Sequence, residues 1–236
     1  MNVIKSIGEF RDGNTTKYFV TNYKANMIRV YDQSWKELRP ISGYLNPSHI
    51  QQIKNEIFLT LSDEIIKLSL DLEMIKFYSN NDMYSNNEYQ GFYYDKKKDA
   101  IYVASFNSRS IDSFDRNLTL IKSMTTHGSP VSVCGGYKNY LFVGTQDGTI
   151  LIFNNDSFID GIQICEKNLN AIIVDKNGFL ALLCNKKLTM HRINGKKLEN
   201  EKVNFEFSEN LNYIKKTSDD SLIFISDERI DTFKEI

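Results

Sequence analysis

The sequence predicts an all-β fold, a six-bladed β-propeller of four-stranded antiparallel blades, and three observations carry that prediction. First, six dense apolar triplets recur: Tyr18-Phe19-Val20, Ile57-Phe58-Leu59, Ile101-Tyr102-Val103, Leu141-Phe142-Val143, Phe179-Leu180-Ala181 and Leu222-Ile223-Phe224. Their first residues lie 39, 44, 40, 38 and 43 apart, and a near-fixed period of this size is the signature of a repeat architecture. Second, each triplet is followed by an Asn or Asp and then by an alternating run such as "MIRVYD", "SIDSFD" or "TILIFN". Third, no stretch sustains the i, i+3, i+4 apolar spacing of a helix. A sandwich of irregular strands is the competing fold, and six near-equal periods argue against it.

Each blade is built in the same order. An inner strand precedes the triplet, as in "SHIQQIKN", "YQGFYYD", "SPVSVCGG", "LNAIIVD" and "LNYIKKT". The triplet is the second strand, and its aromatic and aliphatic density fits a strand covered on both faces. The alternating run is the third, since period-two alternation bounded by turn residues marks a half-buried strand. A fourth follows in "KELRPISG", "EMIKFYS", "LTLIKSM" and "GIQICEK". A single domain over 1–236 results, with repeats at about 11–45, 46–80, 89–125, 127–167, 168–205 and 209–236. Residues 2–8, "NVIKSIG", resemble the fourth strands and are expected to complete the last blade. The alternatives are that residues 3–10 form the inner strand of the first blade, or that the chain is a fragment.

"HGSPVSVCGGYKNYLFVGTQDGTILIFN" resembles a WD40 repeat, with Phe153-Asn154 where that family carries Trp-Asp. "YQGFYYDKKKDAIYVASFNSRSIDSFDRNLTLIKSM" is similar to an NHL repeat. The resemblance implies propeller architecture over nearly the whole chain. It leaves function open, because such folds host many roles.

Composition excludes several classes. Net charge is −1, from 29 basic and 30 acidic residues, so no broad field attracts nucleic acid or an anionic membrane. Cys134, Cys165 and Cys184 share no CxxC spacing and read as buried thiols of a cytoplasmic protein. The first residues do not form a signal peptide, and the longest apolar run is far short of a membrane span.

The candidate chemistry is sparse. "GTQDG" lacks the Lys and the following helix of a phosphate loop, whereas Asp-Gly between apolar runs is a hairpin signal. Gly148 therefore serves backbone geometry. The WD40 resemblance implies that Asp147 braces His127. His49, His127 and His191 fall in different repeats, and Asp95 and Asp175 read as turn formers, so no metal and no cofactor are expected. "DKKKD", residues 95–99, reads as a solvated hairpin tip. The Asn-rich stretch "YSNNDMYSNNEYQ", residues 78–90, holds Met83, Tyr84 and Tyr89, and Trp35 lies in the "DQSWKEL" turn. These four are the expected partner-binding residues, because aromatic side chains in polar loops suit protein contacts. The expected function is a non-catalytic protein-interaction platform, a monomer or a part of a larger complex. The alternatives are a propeller hydrolase or lyase with an axial divalent metal, and a structural module of a virion or other assembly. An enzyme should gather at least three carboxylates or histidines at one mouth; a platform should expose an apolar, aromatic patch.

Overall fold

The computed structural model describes residues 3–79, 87–194, 197–216, 222–226 and 230–233. Blade 1 contains β1 (Ile4–Asp12), β2 (Thr15–Asn22), β3 (Met27–Asp32) and β4 (Ile41–Ser42). Blade 2 contains β5 (His49–Ile53), β6 (Glu56–Thr60), β7 (Glu64–Ser69) and β8 (Met74–Ser79). Blade 3 contains β9 (Tyr89–Asp95), β10 (Ala100–Ser105), β11 (Ser110–Asp115) and β12 (Leu120–Thr125). Blade 4 contains β13 (Pro130–Gly135), β14 (Tyr140–Thr145), β15 (Thr149–Asn154) and β16 (Ser157–Gln163). Blade 5 contains β17 (Leu169–Val174), β18 (Phe179–Cys184), β19 (Lys187–Asn194) and β20 (Lys197–Glu206). The last sheet contains β21 (Leu211–Lys216), β22 (Leu222–Ser226) and β23 (Ile230–Phe233). Among the described residues there are thus five four-stranded antiparallel sheets and one three-stranded sheet, each a simple meander.

The expected seam is corrected. Ile4–Asp12 is the innermost strand of blade 1, with Ile7 opposite Val20 and Asp12 opposite Thr15. A tight turn through Gly13 joins the two strands. Pairing with the next segment costs far less loop-closure entropy than pairing with a segment more than two hundred residues away. β1 also packs beside β21 and β22. Ile7 and Val20 share a buried cluster with Ile223 and Ile225.

Packing follows the joints between blades. Among the described residues, six buried clusters lie one at each joint; for example, Phe10 and Phe19 meet Ile50 and Leu59 between blades 1 and 2. Cys134 and Phe142 meet Ile172 and Leu182 between blades 4 and 5. This is why the triplets are apolar on both faces: each second strand is sandwiched by neighbouring sheets. Gly91 is required at one such joint, since a Cβ there would lie 2.9 Å from Ser132 Cα.

Candidate functional site

The sequence-derived candidates do not assemble into one site. The "GTQDG" segment is the turn between β14 and β15, closed by Gly148 N–H donating to Thr145 O at 3.0 Å. Gly148 has φ +90°, and an added Cβ would lie 2.0 Å from the Cys165 carbonyl oxygen. The Asp147–His127 brace is corrected. Asp147 Oδ1 accepts from the Thr145 hydroxyl and from Thr149 N–H. The Thr145 bond is the main reason its carboxyl is held below the usual range. The His127 ring instead stands edge-on to Phe158, centroids 5.5 Å apart. Asp147 is better served by its own turn, because a side chain two residues away needs no chain ordering beyond the hairpin.

Tyr89 is also corrected. It opens β9 and is 1% exposed; its hydroxyl accepts from Asn87 Nδ2 at 3.2 Å, and burial pushes the phenol up. Met83 and Tyr84 lie outside the described residues. Trp35 sits in the turn after β3 with φ 60°, and its ring stacks on Tyr18 at 4.4 Å. Leu72 and Leu118 occupy the same turn position in blades 2 and 3, also at positive φ. Trp35 is therefore one of three apolar plugs at equivalent turns. Cys165 and Cys184 are joined as a disulfide, their Cα atoms 6.6 Å apart. That corrects the expectation of three thiols; Cys134 remains buried and free.

What the fold does bring together is the channel along its axis. β1, β5, β9, β13, β17 and β21 pack one against the next around it. One cavity, of about 540 Å³, is lined by residues from all six. Its polar lining includes six amides, Gln51, Gln90, Gln146, Asn168, Asn170 and Asn212, beside the charged Lys5, Glu88, Lys215 and Lys216. Sequence reasoning passed over most of these, though a signal existed. β9, β17 and β21 each open with a large apolar residue followed by an amide: Tyr89-Gln90, Leu169-Asn170 and Leu211-Asn212. The apolar residue turns into a joint and the amide turns to the axis, as strand alternation requires.

One wall of the cavity carries ionisable groups. The His49 ring stacks on Phe92 at 5.7 Å, and its Nε2 is 3.3 Å from the Tyr213 hydroxyl. Burial, helped by the Lys215 charge, lowers His49 to about 3, so the imidazole is neutral. Burial likewise raises the Tyr213 phenol. Lys215 Nζ donates to Ile7 O at 2.7 Å; burial brings its amine down to about 8, against an opposing pull from Glu9. Among the described residues no group of three His, Cys, Asp or Glu side chains is placed to hold a metal ion. No described helix is long and apolar enough to cross a membrane.

No family model matches the chain. Over 60 residues, 22% of this chain, it is 43% identical to non-structural protein 3 of Rotavirus C. That match spans 15% of the rotavirus protein. Solved structures are similar over nearly the full length. A chain of the mitotic checkpoint complex superposes with a TM-score of 0.76 at 14% identity, covering 99% of this chain and 75% of that one. Virginiamycin B lyase from Staphylococcus aureus superposes at 0.70 and 14% identity, covering 97% and 84%. A catalytically inactive histidine-to-alanine form of that lyase, with quinupristin, superposes at 0.72 and 14% identity, covering 99% and 87%. At such identity the likeness concerns the fold alone. It bears out the resemblance to WD40/NHL-like propellers. It also overturns the expectation that the chain is no enzyme, because virginiamycin B lyase, an enzyme, is among the structures that share the fold. The chain folds as a β-propeller, similar in architecture to the WD40-like chain of the checkpoint complex and to the lyase.

Proposed function

We propose that this propeller is a protein-interaction platform whose binding surface is the amide-lined mouth of the axial channel. The observation that carries the reading is the cavity of about 540 Å³ with amide side chains from separate blades. An amide offers both a donor and an acceptor without charge, as a peptide bond does. A ring of amides therefore suits an extended polypeptide segment, whose backbone groups remain unpaired until it is bound. The volume lies within the range of ordinary ligand pockets. Gln51, Gln90, Asn170 and Asn212 stand on inner strands, so little ordering cost falls on that part of the platform.

The test is a selection of displayed heptapeptides on the wild-type protein. Selected peptides are expected to lose about tenfold or more in affinity for Gln51→Leu/Gln146→Leu, since each unpaired buried amide partner costs about 1–3 kcal/mol. No hydrogen bond among the described residues ties these two side chains to the fold, so the melting temperature should hold. Equal affinity for both proteins would contradict the reading.

A second reading, in which the same cavity is catalytic, is favoured by Lys215. Its amine, lowered to about 8, lies in the range where general bases work. Consumption of quinupristin by the wild type and not by Lys215→Met would support it, and no consumption by either would remove it.

A further inference from the structure

The axial channel has a second mouth, and its chemistry differs from the first. A cavity of about 970 Å³ opens there. It shares Gln51, Lys215 and Lys216 with the amide-lined cavity, so the two meet at the Lys215 position. The second mouth is lined by Arg11, Lys54, Lys96, Lys215 and Lys216 against Glu9 and Asp99. Both carboxylates are ion-paired, and the pairs partly neutralise Arg11 and Lys54 in turn. Glu9 Oε1 lies 3.2 Å from Arg11. Asp99 Oδ1 lies 3.0 Å from Arg116 and 3.7 Å from Lys54. The chain as a whole carries net charge −1, so this excess of cations is local. Concave walls of one charge concentrate the field and draw in counter-ions.

We propose that this second mouth is an anion site that takes the clustered negative oxygens of a ligand, as carboxylates or phosphates. Three blades and the last sheet supply the cations: Arg11 from β1, Lys54 from the β5–β6 turn, Lys96 from the β9–β10 turn, and Lys215 and Lys216 from β21. Lysine ammonium groups on flexible stems accept either chemistry as point charges. Lys96 belongs to the "DKKKD" hairpin tip. Asp95 caps that turn by accepting from Lys97 N–H at 2.9 Å, and Lys96 lines the mouth. The proposal does not depend on what the amide-lined mouth binds.

The test is calorimetric titration at low ionic strength, where exposed charges are least screened. The probes are inorganic pyrophosphate, a tetraglutamate peptide and a tetraglutamine peptide. Pyrophosphate or tetraglutamate is expected to bind, and tetraglutamine is not. The pattern between the first two identifies a phosphate ligand or an acidic segment. Lys96→Gln is expected to weaken binding about threefold to fivefold, the effect of one partly exposed ion pair. Lys96→Arg is expected to restore it. Lys96 sits on an exposed turn, so Lys96→Gln should fold normally. The proposal is overturned if neither anion binds, if tetraglutamine binds equally well, or if Lys96→Gln binds like the wild type.

Discussion

His49 illustrates how one buried residue couples the channel to stability. In the unfolded chain its imidazole takes a proton near the ordinary 6.5, whereas in the folded chain it resists protonation down to about 3. Between these values the unfolded state holds more protons, so stability falls as the pH falls. The slope contributed by this one group reaches about 1.4 kcal/mol per pH unit. His49→Gln is expected to remove about one proton's worth of that slope between pH 6.5 and 4, measured by urea denaturation across the range. An unchanged slope would show that His49 is not the neutral buried group described above. His191 is also lowered by burial and remains in both proteins, so the difference isolates His49. The turn at Gly148 was legible from its Asp-Gly dipeptide, because positive φ has few sequence solutions. The burial of Tyr89 was not: "NEYQ" looks polar, and only pairing with β10 shows that Tyr89 starts a strand. The Asp147–His127 brace misled for a related reason, since a family pattern supplies residue types but not the local competition for a carboxylate.

At the scale of elements, the inner strands are stitched to one another by polar bonds at nearly every joint. Ser6 Oγ accepts from Ile50 N–H at 3.1 Å, linking blades 1 and 2. The Ser48 hydroxyl donates to Tyr89 O, linking blades 2 and 3. Ser132 Oγ accepts from Ile172 N–H at 3.2 Å, and Asn170 Nδ2 donates to Leu211 O at 2.6 Å, linking blade 4 to blade 5 and blade 5 to the last sheet. Lys215 to Ile7 O joins that sheet to blade 1. Ser48 is 2% exposed, so Ser48→Ala leaves the Tyr89 carbonyl buried without this donor. The expected loss is about 1–3 kcal/mol in a denaturant melt; a loss below the scatter of surface substitutions would contradict the stitch. Strand order within a blade was legible because apolar alternation records it directly. Bonds across joints were not, since small hydroxyls at strand starts look like ordinary turn residues. The seam was misread for a similar reason. "VIKSIG" resembles outer strands in composition, but the partner of β1 is fixed by the Gly13 turn.

For the whole molecule, the repeat period gave the propeller, and the axial arrangement then follows from the fold. Which residues face the axis did not follow as easily, because four of the amides lie on separate inner strands, Gln146 and Asn168 lie in loops beside them, and no local motif unites them. The exposed surface offers a rival to the channel. Met74, Ile75 and Phe77 of β8 are 63%, 53% and 54% exposed, and Ile121 of β12 is 60% exposed. These outer edges could receive a partner strand, since such edges present unpaired backbone groups. The measurement that separates the two is a ¹⁵N–¹H correlation titration with a selected heptapeptide, read on the side-chain amides. If the axial mouth is the binding surface, the resonances of Gln51, Gln90, Gln146 and Asn170 shift together and saturate at one equivalent. Shifts confined to β8 and β12, with those four amides unmoved, would contradict the account.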